Sequence, residues 1–187
     1  MSKLVKLCMV LFVVTSFVSC STDDDGGSDT SASLVGTWSV TSLDYEGTTS
    51  FDFLGETINT SFEGVGQNLD LDFTFTENPN EYTAEGSYDI VLDFTVNGMS
   101  ETETTSVDNL QQVGTWERNG NILSIDGEII DIDLDIPVGD TTGMSELTIL
   151  ELTETTLRLG QDVTEEVTEE GITVSITINS EIVFSRQ

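Results

Sequence analysis

Leu69-Asp70-Leu71-Asp72-Phe73-Thr74-Phe75-Thr76 decides the fold. Apolar and polar residues alternate across it without a break. Successive side chains of an extended chain point to opposite faces, so this stretch has one wholly apolar face and one hydrated face. The same period of two recurs in Ile130, Ile132, Leu134 and Ile136, which alternate with Asp131, Asp133 and Asp135. It recurs again in Ile172, Val174, Ile176 and Ile178, which alternate with Thr173, Ser175, Thr177 and Asn179. Such alternation marks half-buried antiparallel strands.

Turn residues punctuate these runs from Leu34 onward. Asn78-Pro79-Asn80, Asn97-Gly98, Asn119-Gly120, Asp126-Gly127, Gly139 to Gly143 and Glu169-Glu170-Gly171 each separate two apolar-patterned segments. Asn-Gly and Asp-Gly suit two-residue hairpins, whose central residues take positive φ. No window has a helical period; Val163 and Val167 are four apart, but the intervening Thr-Glu-Glu reads as strand or loop. The segment 34–187 therefore reads as an all-β meander of roughly eight to ten strands. A meander must close or stack to manage its edges. No long connection suggests a Greek key, so the expected architecture is an antiparallel up-and-down β-barrel, with a β-sandwich as the alternative.

Composition removes most chemistry. The chain has 187 residues, 35 Asp plus Glu, five Lys plus Arg, two Cys and no His. Without His there is no imidazole base, no His-based triad and no His-liganded zinc site. Both cysteines, Cys8 and Cys20, lie near the amino terminus, so the strands carry neither a disulfide nor a thiol nucleophile. After Lys6 the only cations are Arg118, Arg158 and Arg186, which leaves no Schiff-base lysine and a surface that repels nucleic acid. Carboxylate pairs could serve a glycosidase, but so acidic a chain makes pairs at every spacing. Asp131-x-Asp133-x-Asp135 begins like a calcium loop. It then places Ile136 where a Gly is needed and Thr142 where a bidentate Glu is needed. The reading is a non-enzyme with no catalytic residues, no metal and no cofactor, whose charge keeps its outer face hydrated.

The amino terminus reads as an address. Lys3 and Lys6 precede an unbroken apolar run, Leu7 to Val14, which suits a secretory signal and is too short to span a bilayer. Phe17-Val18-Ser19-Cys20 follows. It resembles the lipobox of bacterial lipoproteins, with Phe17 where that family prefers Leu. The resemblance implies cleavage after residue 19, acylation of Cys20 and a lipid bilayer as partner. Several acyl chains, at about 0.8 kcal/mol per buried CH₂, anchor stably. Residues 20–33 hold no apolar side chain larger than Ala once past Cys20, and so read as a flexible tether. Asp23-Asp24-Asp25 resembles the surface-export signal of some Gram-negative lipoproteins, which implies an outer-membrane protein facing the exterior.

Leu34-Val35-Gly36-Thr37-Trp38 opens the domain. Gly-x-Trp at the start of a first strand resembles the lipocalin family, and the full layout resembles bacterial lipoproteins with a lipocalin-like domain. The resemblance implies that Trp38 plugs one barrel end, with an Arg near the last strand packed over its indole. Arg186 is the first candidate for that Arg and Arg158 the second. The family also implies a small, apolar ligand, although no ligand-binding residue can be assigned from sequence. Its alternative is a structural or adhesive surface domain with a packed core and no ligand, and protein partners stay unassigned. Twelve aromatics, from Trp38 to Phe184, either fill that core or line a cavity. Val113-Gly114-Thr115-Trp116 repeats the opening motif. It reads more simply as a strand entering the Asn119-Gly120 turn than as a duplicated half-barrel.

Overall fold

The computed structural model describes residues 29–53, 56–96, 98–126, 144–169 and 172–187. The signal segment, Cys20 and the Asp131-Asp133-Asp135 ladder lie outside the described residues.

Eight antiparallel strands form one closed ring in chain order. They are β1 (Gly36–Phe53), β2 (Glu56–Thr76), β3 (Glu81–Val96), β4 (Met99–Asn119), β5 (Ile122–Asp126), β6 (Met144–Leu152), β7 (Thr156–Glu169) and β8 (Ile172–Arg186). The ring closes through β1 and β8, from Trp38↔Arg186 to Phe51↔Val174. A single closed sheet is a barrel, and the sandwich alternative is set aside. The described residues contain no helix, and Val163 to Val167 lie within β7.

Alternation works as the sequence predicts. Leu71, Phe73 and Phe75 are buried, Asp72 and Thr74 between them are half-buried, and Asp70 and Thr76 on either side are exposed. The outward positions are mostly Asp, Glu, Ser and Thr, with Val65 and Val113 exposed among them. Asn119 pairs with Ile122, so the reversal there is Gly120-Asn121, one residue later than the Asn-Gly reading places it. Gly120 has φ +64° and Asn121 is not in the positive-φ region, as a type II′ turn requires.

Closure needs strands that bend. Register shifts interrupt β1 between Ser39 and Asp44, β2 between Gln67 and Asp70, and β3 between Gly86 and Tyr88. Asn68 (φ 49°) and Asn109 (φ 56°) sit at two of these irregularities, where Asn tolerates the left-handed region better than most residues. Asn68 also donates from its side chain to the Asp89 carboxylate at 2.5 Å. Extra residues at such bulges sharpen the local twist and let flat ladders curl into a ring.

The two ends of the barrel differ. Trp38, Phe73, Phe75, Tyr82, Phe184, Leu123, Ile125, Leu152 and Leu157 are all buried at the end where β1 begins and β8 finishes. Phe73 meets Phe184 edge-on at 5.5 Å and stacks with Tyr82 at 6.3 Å, so this half is solid. Toward the other end burial thins. Every described residue of β4 from Met99 to Ser106 is exposed.

Residues 29–33 do not hang free. Leu152 donates its amide to the Asp29 carbonyl at 2.6 Å, and Arg118 donates to the carbonyls of Thr30 and Ala32. Ala32 packs on the core and Leu34 is buried in it. This part of the expected tether is tied across the solid end.

Candidate functional site

The solid end is built around one indole. Trp38 is fully buried and donates its N–H to the Leu34 carbonyl at 2.8 Å. The Arg186 guanidinium lies over the ring, 4.2 Å from its centroid. Its Nη1 donates to the Val35 carbonyl at 2.9 Å, and its Nη2 donates to the Ser33 carbonyl. Register explains the pairing, since Trp38 and Arg186 are opposite each other in the β1–β8 ladder. Gly36 is required beside them. Its φ is +137°, and a Cβ there would lie 2.6 Å from Arg186 Nη1. The lead-in, the Gly, the Trp and the last Arg are one cation–π plug. Arg158, the second candidate, is elsewhere: it bonds Glu181 at 2.9 Å and approaches Glu151 at 3.7 Å on the outer wall. Trp116 is not a copy of Trp38. It is half-buried near the end of β4, meets Phe75 edge-on at 6.1 Å, and donates to the Thr76 carbonyl at 3.0 Å.

Above the plug, the register sorts the inward side chains into rows. One row reads Gln161, Ser180, Tyr45, Gly64, Leu92, Glu103 from β7 round to β4. The next reads Val163, Ile178, Gly47, Phe62, Phe94, Glu101. The third reads Glu165, Ile176, Thr49, Thr60, Val96, Met99. Two glycines in these rows make room for rings. A Cβ on Gly64 would sit 2.0 Å from Tyr45 Cζ, and one on Gly47 would sit 2.3 Å from Phe62 Cζ. The Tyr45 ring therefore folds over Gly64 and the Phe62 ring over Gly47, with centroids 6.2 Å apart and ring planes inclined at 55°. Toward the β3–β4 turn Phe94, Val96, Met99, Ser100, Glu101 and Glu103 line an open concavity of about 560 Å³. Phe94 is half-buried there and Phe51 half-buried near the end of β1, whereas Tyr45, Phe62 and Tyr88 are buried. The aromatics thus divide between core and cup.

Tyr45 is buried, and its hydroxyl has no hydrogen-bond partner among the described residues. Burial, and then the nearby Tyr88, push its pKa up to about 12. Burial also raises Tyr82, ahead of Asp126, whose carbonyl accepts the Tyr82 O–H at 2.9 Å. The sign of the consequence is fixed. Unfolded tyrosine ionises from its ordinary value of 10.0, but folded Tyr45 holds its proton to about 12. Its contribution is complete below pH 10 and is lost as pH rises through that window. Tyr45→Phe should hold neutral stability, because a phenyl leaves no unpaired hydroxyl. It should also recover about 1 kcal/mol of the loss seen at high alkaline pH. Urea unfolding of both proteins at neutral and alkaline pH checks this, and equal alkaline losses would contradict it.

Among the described residues no group of three or more His, Cys, Asp or Glu is placed to hold a metal ion. Sequence reading missed Glu101, Glu103 and Met99 as cup residues. It also missed Arg118, which holds the lead-in segment.

The profile of the lipocalin-like domain matches residues 34–159, from the plug lead-in to the start of β7. No curated protein and no solved structure matches the chain significantly. The match covers most of the chain, and the eight-stranded ring extends the same barrel through β8. The chain belongs to the lipocalin-like domain family.

Proposed function

We propose that this protein is a surface-anchored lipoprotein whose barrel holds a small, apolar ligand in its open cup. One observation carries the reading: the barrel is plugged at one end and concave at the other. The plug is Trp38 under Arg186. The concavity is lined by Phe94, Val96, Met99, Ser100, Glu101 and Glu103 of β3 and β4. Apolar surface left open to water is a binding surface in waiting, at roughly 25 cal/mol per Å² of area covered. Catalysis is not part of the proposal, since residues beyond Cys20 supply neither His, Lys nor thiol.

The anchor and the cup are compatible. Residues 29–35 cross the plugged end, held by Arg118, Arg186 and Leu152. A lipidated Cys20 upstream would tether the barrel by that end and leave the cup facing away from the bilayer. Outer-membrane placement, with export directed by Asp23-Asp24-Asp25, rests on the sequence resemblance. Cys20→Ser should release the protein from the membrane fraction into the soluble one. Continued membrane partitioning of that variant would overturn the anchoring.

The ligand reading is tested by titrating the Cys20→Ser chain with an environment-sensitive naphthylamine dye. Saturable binding of one dye per chain is expected. Phe94→Glu, which puts a charge on the apolar wall, should weaken it at least about tenfold. No saturable uptake would return the protein to the structural surface-domain reading, which the solid packing of the plugged half favours.

A further inference from the structure

The cup carries a chemical preference that its apolar wall alone does not explain. β4 enters the interior with Met99, Glu101, Glu103, Thr105 and Val107 on the inward parity, opposite Val96, Phe94, Leu92, Ile90 and Tyr88. Two carboxylates therefore stand beside Phe94 and Met99 on the lining of the concavity. The chain has no cation to offer them. Arg118 is bound to the lead-in segment, Arg158 to Glu181 and Glu151, and Arg186 to the plug, and no other Lys or Arg follows Lys6. Beside the two carboxylates, Val96 and Met99 are large apolar side chains left exposed, at 38% and 74%.

We infer that the cup takes an amphiphilic cation: an apolar body against Phe94, Val96 and Met99, with an ammonium group at Glu101 and Glu103. This deepens the cup reading and rests on it. A neutral ligand pressed over Glu101 and Glu103 strips water from two carboxylates and gives nothing back. A carboxylate ligand, such as a fatty acid anion, adds like-charge repulsion. Only a cation keeps both charges paired while the tail is buried. The strongly acidic surface also concentrates cations around the mouth.

The test compares three probes that share one alkyl chain: dodecyltrimethylammonium, dodecanol and dodecanoate. Each is titrated below its micelle concentration, at physiological ionic strength and neutral pH, into the full-length Cys20→Ser chain. The expected order is the ammonium about five- to tenfold tighter than the alcohol, at one site per chain, with the carboxylate weakest. The double variant Glu101→Gln/Glu103→Gln should bring the ammonium-to-alcohol ratio close to one. Equal binding of ammonium and alcohol by the parent chain would overturn the headgroup preference and leave the cup standing. An unchanged ratio in the double variant would assign the preference to general surface charge and overturn the inference. Failure of all three probes to bind would overturn the cup itself.

Discussion

Trp38→Ala lowers the stability of the barrel by about 3–5 kcal/mol, as loss of a fully buried Trp does. More than area is removed. The indole fills the plugged end at zero exposure, donates to Leu34, and sits under Arg186. Without it, the guanidinium faces a cavity, and its buried Nε, already lacking a partner among the described residues, loses the ring face as well. The lead-in strand also loses its anchor, because Leu34 accepts from the indole while Val35 accepts from the arginine. Urea unfolding measures the change. A loss below about 1 kcal/mol would mean that the plug is not what closes this end.

Gly86→Ala is the second large effect, expected to cost about 3 kcal/mol or more. Gly86 adopts φ +144°, a region that is essentially reserved for glycine. Space is lacking too. An added Cβ would lie 1.9 Å from the Asp70 carbonyl oxygen and 2.8 Å from Leu71 Cα, both backbone atoms of the paired strand. Nothing flexible can yield, so the β2–β3 irregularity that helps the ring close must reopen. Gly120→Ala provides the contrast. Its φ is +64°, but nothing lies within 4 Å of an added Cβ, so only the left-handed strain of about 1–2 kcal/mol applies. Equal losses for the two substitutions would contradict the bulge account.

Much of this barrel was legible because its buried face is hydrophobic in strict alternation. Leu71, Phe73 and Phe75 identify both a strand and its inner face before any partner is known. A meander of roughly eight to ten strands follows from the turns, and the need to satisfy edges leaves closure or stacking. The cup was not legible for the opposite reason. From Met99 to Ser106 the inward and outward residues are both polar, apart from Met99, so no hydrophobic contrast separates them. Only the ladder with β3 puts Glu101 and Glu103 on the inward parity. Tyr45 reads as one more core aromatic, and only Gly64 opposite it shows that the ring folds over the neighbouring strand. Arg118 could not be found from spacing, because its partners at Thr30 and Ala32 are backbone carbonyls of a segment with no strand pattern. Composition says little here either, since one acid resembles another among 35.

The most direct test of the ligand-holding cup is native mass spectrometry of the Cys20→Ser chain, produced in its own host and purified without detergent. The account predicts a single small-molecule adduct of defined mass at one per chain, lost when Phe94 is replaced by Glu. The bare polypeptide mass in every preparation, with no difference between the two proteins, would contradict it.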